Sequence, residues 1–386
     1  MNTDRLKSPT QVQSKLRILL YIGELSVGGA ERQFVELAKG LHRRGIPVAV
    51  MLNRAGGGFY HELADYGIPL HVIDMRGLKF IFSYFLRARS IIRDFNPNVL
   101  YGFMGSGIKS SILTLTDRNI KIIWGVRNAL TESYYKTNGM RIASALDRWF
   151  SPLPDALICN SKAGLKALVA RGFRNKRIRV VSNGIDAHCY QFNENSRDMM
   201  RGSWGVECHE ILIGMVGRLH PDKNHQNFMD AARIVADEFP QARFVVVGQG
   251  EEKYISAMKG YAQAAGLAGI LNWVDHQNET AAVYSALDVL VSASNTEAFP
   301  NVLGEGMSCG LPVVATDVGD CSDIIGDRGW IVPVNDPASL AVALKTAIVA
   351  LPNWNRDDSR QRIVDNYGID AMVAYTLNVI LEVITD

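Results

Sequence analysis

The chain has 386 residues, 47% of them hydrophobic and 21% charged, enough for two or three globular domains. No apolar run approaches the ~18–20 residues of a membrane-spanning helix, which argues against a bundle of such helices. Five cysteines (Cys159, Cys189, Cys208, Cys309, Cys321), odd in number and without a CxxC pair, argue for a reducing compartment and against a disulfide framework or structural zinc. The net charge of +2 hides an asymmetry: residues 1–190 carry 28 Lys and Arg against 13 Asp and Glu, and residues 191–386 carry 13 against 26.

Residues 1–15 read as a polar tail without the apolar region of a signal peptide. A strand spans 16–22, and a loop with Gly28 and Gly29 leads into a helix from Ala30 to about Arg44, where Phe34, Leu37, Ala38 and Leu41 recur at helical spacing. Such glycines let backbone approach a ligand at a helix N-terminus, or serve only a tight strand–helix turn. Strands follow at 46–52 and 69–73, separated by the flexible Gly56-Gly57-Gly58.

Residues 78–95 combine Phe80, Ile81, Phe82, Tyr84, Phe85 and Leu86 with Lys79, Arg87, Arg89 and Arg93. They read either as a basic amphipathic helix lying on a membrane surface or as a crossover helix packing Ile91 and Ile92 on a sheet. Strands at 98–102 and 120–126 come next, the second running into Arg127 and Asn128. Arg127 suits a phosphate or an acceptor carboxylate, or equally a structural salt bridge. A strand at 155–159, a helix opened by Asn160-Ser161 and a strand at 178–181 close the first half. Asn183-Gly184 is a turn signal, and the polar run 193–203 reads as a linker or surface excursion.

The second half repeats the alternation. A strand at 211–216 precedes GRLHPDKNHQNF, where Asn224 suits the N-cap of a helix over 226–238. The strand at 243–247 ends in Gly248-Gln249-Gly250, which allows close approach of a base or ribose, and 272–275 is a candidate lining for a base pocket. After a helix at 279–287 and a buried strand at 287–291 comes SNTEAFPNVLGEGMSCGLPVVATDVG, from Ser294 to Gly319. It reads as loop, short helix (301–309) and strand (313–315), a parallel β-α-β unit. Glu297 falls in the loop past the strand's carboxyl end and Glu305 in the helix; ligands of open α/β sheets bind at that end. Helices follow at 337–351, 356–367 and 369–384. There are no internal repeats of 20–50 residues.

Two glutamates separated by seven residues within EAFPNVLGEGMSCGLPVVATDVG resemble the nucleotide-sugar signature of the family-4 glycosyltransferases. The resemblance extends to VGGAERQFVELAKGL near the start and to VVSNGIDAHCYQF at the interdomain turn. It implies an α/β protein of the GT-B fold: two Rossmann-like β/α/β domains facing across a cleft, with a C-terminal helix crossing back to the first domain. The expected division is an acceptor-binding domain at 16–190, completed by the helix at 369–386, and a nucleotide-sugar domain at 191–368.

The resemblance also implies roles. Arg218 and Lys223 match the family's phosphate motif and neutralise the leaving diphosphate, whose charge grows in the transition state. Glu305 hydrogen-bonds the ribose hydroxyls, and Glu297 approaches the donor sugar. Backbone N–H groups of Asn301, Val302 and Leu303 meet the diphosphate at a helix N-terminus. Gly28 and Gly29 lie near the donor phosphate and acceptor. Arg127 and Asn128 stand where many members carry a histidine, so no cleft histidine is assigned. Transfer proceeds with retention, the acceptor hydroxyl giving its proton to a phosphate oxygen.

No Asp-x-Asp motif occurs, so no metal and no cofactor are expected; the nucleotide-sugar, taken as a UDP-sugar, is a substrate. The partners expected are that donor, a glycan or lipid-linked acceptor of cell-surface polysaccharide synthesis, and an anionic membrane surface on the cytoplasmic side attracted by the basic half. Nucleic acid is not expected, because no aromatic-basic RNA module or helix-turn-helix cue is present. A sugar-nucleotide epimerase or phosphorylase of the same fold, and a catalytically silent binding subunit, remain alternatives. The first differs in its products without an acceptor; intact Arg218, Lys223, Glu297 and Glu305 weigh against the second.

Overall fold

The computed structural model describes residues 16–26, 28–73, 81–115, 117, 119–127 and 138–385. The expected tail 1–15, the start of the Phe-rich segment (78–80) and the acceptor-side candidate Asn128 lie outside them. The chain divides into two compact units. One runs to Gly184 and takes in the segment from Ile369, and the other is Ile185–Gly368.

In the first unit the strands are β1 (Ile18–Ile22), β2 (Val48–Leu52), β3 (Leu70–Val72), β4 (Val99–Phe103), β5 (Lys121–Val126), β6 (Ala156–Cys159) and β7 (Ile178–Val180). They form a parallel sheet in the order β3-β2-β1-β4-β5-β6-β7. Helices alternate with them: α1 (Gly29–Arg43), α2 (Tyr60–Asp65), α3 (Ile81–Phe95), α4 (Gly107–Leu113), α5 (Asn138–Phe150) and α6 (Lys162–Ala170). Every residue of β1, β2 and β4 is buried, as expected for continuous apolar runs covered by helices on both faces.

The second unit carries α7 (Glu194–Ser203), β8 (Ile211–Val216), α8 (His225–Glu238), β9 (Ala242–Val247), α9 (Glu252–Ala264), β10 (Leu271–Val274) and α10 (Thr280–Ala286). It continues with β11 (Val289–Ser292), α11 (Asn301–Ser308), β12 (Val313–Thr316), α12 (Cys321–Ile325), β13 (Gly329–Val332), α13 (Pro337–Ala350) and α14 (Arg356–Tyr367). Its sheet is also parallel, in the order β10-β9-β8-β11-β12-β13. The order therefore reverses between β1 and β4 in one unit and between β8 and β11 in the other. Such a reversal opens a crevice at the strands' carboxyl ends.

The last helix, α15 (Ile369–Thr385), belongs to the first unit. It buries Met372, Val373, Leu377, Val379, Ile380 and Val383 in that unit's core. Val373 lies so close to Gly40 of α1 that a Cβ there would meet its Cγ2 at 2.4 Å, so the glycine sets the approach of the two helices.

One local expectation is corrected, and one open choice is narrowed. The polar run 193–203 is helix α7, capped by Asn193, whose side chain accepts from the Ser196 N–H at 2.8 Å. Arg201 and Arg197 anchor it by binding Asp288, Arg201 from a buried position. In α3, Tyr84, Ala88 and Ile92 recur at a spacing of four and pack in the core, while Phe82 and Leu86 are exposed. The described part of that segment is a crossover helix with an apolar outer end.

Candidate active site

The candidate site residues of the second unit gather where the sheet order reverses. After β8 the chain passes through Gly217 and Arg218 to a short 3-10 turn, Pro221–Lys223, and into α8. Asn224 adopts φ 53° and ψ 54° and caps α8, accepting from the Asn227 N–H. A short polar side chain tolerates this left-handed geometry better than most. The capping amide also donates to Asn295 at 2.9 Å and Asn335 at 2.8 Å. The Asn295 N–H in turn donates to the Asp222 carbonyl at 2.7 Å. The loop after β8 is thus stitched to the loop after β11.

That stitching brings together residues far apart in sequence. The Lys223 ammonium donates to Glu297 Oε1, and the Ser294 hydroxyl donates to the same oxygen at 2.8 Å. Thr316, at the end of β12, fixes the backbone below by donating to the Ser294 carbonyl at 2.6 Å. Gly319 adopts φ +60°, and a Cβ there would stand 2.6 Å from the Ala298 carbonyl oxygen and 2.7 Å from that of Glu297. Only glycine lets the chain pass so close behind the glutamate. Arg218 is exposed and has no ion-pair partner among the described residues.

Glu305 sits in the second turn of α11, half-buried. The fully buried Tyr284, on α10, donates its hydroxyl to Glu305 Oε2 at 2.6 Å. Burial, and then the neighbouring Glu305 carboxylate, push the Tyr284 phenol well above its ordinary range, so it stays a donor. Helix α11 begins at Asn301 behind Pro300, without a side-chain cap. Asn301 and Val302 are half-buried and Leu303 buried. The Leu303 N–H already donates to the Pro300 carbonyl at 3.1 Å.

The glycines after β9 stand against the chain's own backbone. A Cβ on Gly248 would lie 1.8 Å from the Gly217 carbonyl oxygen, and one on Gly250 2.1 Å from that of Leu219. The space they free is filled by the chain's own backbone, where Leu219 and Gly250 form a parallel bridge. Asn272 lies within β10, and its amide donates to the Trp204 carbonyl at 2.9 Å.

In the first unit, Gly28 and Gly29 stand at the opening of α1, which follows the strand at the reversal. The Glu31 carboxylate folds over that turn, so that a Cβ on Gly28 would meet its Oε2 at 2.3 Å. Arg127 follows β5 and is buried. Its Nη1 donates to Asn183 Oδ1 at 3.0 Å, and its guanidinium stacks on Phe103, 5.0 Å from the ring centroid. No carboxylate pairs with it among the described residues.

Sequence reading passed over Tyr284, Ser294, Thr316 and Gln33. The last brackets Gly184, its amide donating to the Gly184 carbonyl at 2.9 Å and its Oε1 accepting from the Gly184 N–H at 2.6 Å. Tyr284 carried a usable signal, a tyrosine on the apolar face of a short helix whose hydroxyl needs a buried partner. Among the described residues no group of three or more His, Cys, Asp or Glu is arranged to hold a metal ion.

What can this arrangement do? Lys223 and Arg218 offer positive charge past the ends of β8, and α11 directs its N-terminus to the same end of the sheet. Two carboxylates offer acceptors for hydroxyl groups. The set suits an anion with a polyhydroxylated body attached.

Comparison with known proteins points the same way. Residues 210–349 match the family described as "Glycosyl transferases group 1", and residues 27–188 match "Glycosyltransferase Family 4". A GDP-mannose-dependent alpha-mannosyltransferase of Mycobacterium tuberculosis is 25% identical over 80% of this chain and 81% of its own. An Escherichia coli enzyme, UDP-Gal:alpha-D-GlcNAc-diphosphoundecaprenol alpha-1,3-galactosyltransferase, is 27% identical over 50% of this chain and 51% of its own. Among solved structures, the Anabaena protein HepE in complex with UDP shares the fold with a TM-score of 0.82, at 20% identity, over 95% of this chain and all of its own.

Proposed function

The chain belongs to the family-4, group 1 glycosyltransferases of the GT-B fold, and from that premise we propose that it moves a sugar from a UDP-sugar to a hydroxyl of a lipid-linked glycan, with retention at the anomeric carbon. The observation that carries the reading is the meeting of Lys223 with Glu297 where the sheet order of the second unit reverses. The UDP bound by the Anabaena structure and the lipid-diphosphate acceptor of the Escherichia coli relative support the choice of donor and acceptor.

In this reading Lys223 and Arg218 stabilise the departing diphosphate, together with the first-turn N–H groups of α11 at Asn301, Val302 and Leu303. The Leu303 N–H exchanges its bond to Pro300 for the phosphate. Glu305, held by Tyr284, accepts from the ribose hydroxyls. Glu297, held by Ser294 and Lys223, accepts from the donor sugar hydroxyls and offsets positive charge developing at the anomeric carbon. The bond from that carbon to the phosphate oxygen breaks while the acceptor oxygen bonds to the same face. The acceptor's proton passes to the departing phosphate oxygen, so no protein base and no metal take part.

Gly28, Gly29, Arg127 and Asn128 are assigned to the first unit's share of the substrates. That unit's basic residues bring the enzyme to an anionic membrane surface on the cytoplasmic side, with Phe82 and Leu86 of α3 available for contact. Among the described residues no helix is long and apolar enough to cross a membrane.

The test is nucleotide release from UDP-, GDP- and ADP-sugars, with and without a lipid extract, beside Glu297→Ala and Lys223→Ala. Extract-dependent release from a UDP-sugar, lost in both variants, is expected. Release from a GDP-sugar alone would overturn the donor assignment, and release without any extract would overturn the acceptor. Sedimentation with anionic vesicles at low salt, reversed by high salt, tests the membrane surface; indifference to both would refute it.

A further inference from the structure

Arg127 is buried to 6% exposure, yet among the described residues its Nε and Nη2 have no close hydrogen-bond partner. Its remaining nitrogen, Nη1, binds the neutral Asn183, and the ring beneath it is Phe103. A guanidinium in such a place forfeits its hydration, and a neutral amide does not replace the missing negative charge. Nε and Nη2 are adjacent donors along one edge of the planar group. That edge is the fork that takes two oxygens of one oxyanion. A water molecule would satisfy one N–H and leave the charge uncompensated.

The surroundings carry further unmade bonds. Among the described residues the buried Tyr101 hydroxyl makes no close hydrogen bond; burial raises its pKa, and the Arg127 guanidinium beside it, within reach of a weak hydrogen bond, lowers it. Asn160 is buried, and its Oδ1 has no hydrogen-bond partner among the described residues. The register pairs Val126 with Cys159, so Arg127 and Asn160 are the next residues on neighbouring strands. Phe103, Arg127 and Asn160 thus stand at the carboxyl ends of β4, β5 and β6, next to the reversal of the first unit's sheet, where ligands enter.

We propose that Arg127, with Tyr101 as a second donor, forms a subsite in the first unit for an oxyanion carried by the acceptor, a phosphate or a carboxylate. The inference rests on the transferase reading and assigns the acceptor a charged group held apart from the donor's diphosphate. Arg127 is here a binding residue, and its loss weakens the acceptor without touching the nucleotide.

The experiment uses the full chain with UDP at saturation, so that anions compete poorly for the Arg218 and Lys223 site. Inorganic phosphate, pyrophosphate and acetate are titrated in turn by calorimetry against the wild type, Arg127→Gln, Arg127→Lys and Lys223→Ala. The wild type is expected to bind phosphate or pyrophosphate with UDP present. Arg127→Gln should weaken that binding by at least about tenfold, as loss of a charge-assisted fork implies. Arg127→Lys should fall between, and Lys223→Ala should leave it within about twofold. UDP affinity should be unchanged in both Arg127 variants.

Preference for acetate would make the group a carboxylate. Absence of any anion binding by the wild type, or binding lost in Lys223→Ala and kept in Arg127→Gln, would overturn the proposal. Should Arg127→Gln fail to fold, the wild type and Arg127→Lys decide it. Failure of UDP to bind refutes the donor reading instead, and the contrast between the Lys223 and Arg127 variants still reads the anion site.

Discussion

Lys223 and Glu297, 74 residues apart in sequence, form an ion pair at the carboxyl ends of β8 and β11. Each is half-buried, so neither is removed without leaving the other's charge short of a partner. Lys223→Ala should cost about 1–2 kcal/mol of stability, and Glu297→Ala a similar amount. The double variant should lose less than the sum, which a double-mutant cycle by thermal unfolding reads directly. Nucleotide release should fall by about a hundredfold or more in each single variant, because both groups meet charge that develops during transfer.

Arg218 presents the opposite case. It is exposed and makes no ion pair among the described residues. Arg218→Ala should leave the unfolding free energy unchanged, within about 0.5 kcal/mol, since exposed charges contribute little. UDP affinity should drop by about tenfold, measured by calorimetry. A fall in stability with affinity intact would remove Arg218 from the site.

Tyr284→Phe deletes one oxygen from a fully buried side chain and leaves Glu305 without the donor that orients it. The expected cost is about 1–2 kcal/mol of stability. Affinity for UDP should weaken several-fold, while affinity for inorganic pyrophosphate should not change, because Glu305 is assigned to the ribose and not to the phosphates. Equal weakening of both would refute that assignment.

Much of this was legible in the sequence because it is local. The alternation of apolar strands with 3.6-period helices announces two parallel sheets, and the Glu297–Glu305 spacing rides on one loop and one helix. What escaped depends on contacts across the chain. Asn193 to Ser203 looks like linker because its helix is fixed by Asp288, some ninety residues away, through Arg197 and Arg201. Gly248 and Gly250 look like ligand glycines, yet the atoms they make room for belong to Gly217 and Leu219. No local pattern shows that Arg127 meets the neutral Asn183 and the ring of Phe103, since both contacts join residues far apart in sequence.

The pH dependence of stability should carry the mark of His225. Burial, and then the nearby Lys223 ammonium, lower its imidazole from 6.5 to about 4. The folded state keeps the ring neutral, donating to or accepting from Tyr254 at 3.1 Å, while the unfolded chain takes up a proton below pH 6.5. Stability from this group is therefore complete above about pH 6.5 and is lost as pH falls towards 4, by at most about 3 kcal/mol. Asp147, raised by burial to about 6, acts in reverse: its stabilising contribution is present at low pH and lost as pH rises through 6. Denaturant midpoints of His225→Asn and Asp147→Asn across pH 4–7 separate the two. A wild-type slope unchanged in His225→Asn would refute the first.

Chelation gives a further check. With Lys223, Arg218 and a helix N-terminus assigned to the diphosphate, excess EDTA should leave the transfer rate within about twofold. Collapse of the rate with chelator, and recovery with added magnesium, would require an ion that the proposed mechanism lacks.

Helix α15 also sets a timetable. The first unit's strands leave the ribosome early, but Met372, Val373, Leu377 and Ile380, which complete its core, are made only after the whole second unit. The second unit, a single uninterrupted stretch, has all its residues before the first does. Although amino-terminal domains ordinarily fold first during synthesis, here the amino-terminal one must wait with the α1 face around Gly40 uncovered. A released chain truncated before Ile369 should therefore hold a protease-resistant second unit and a protease-sensitive first.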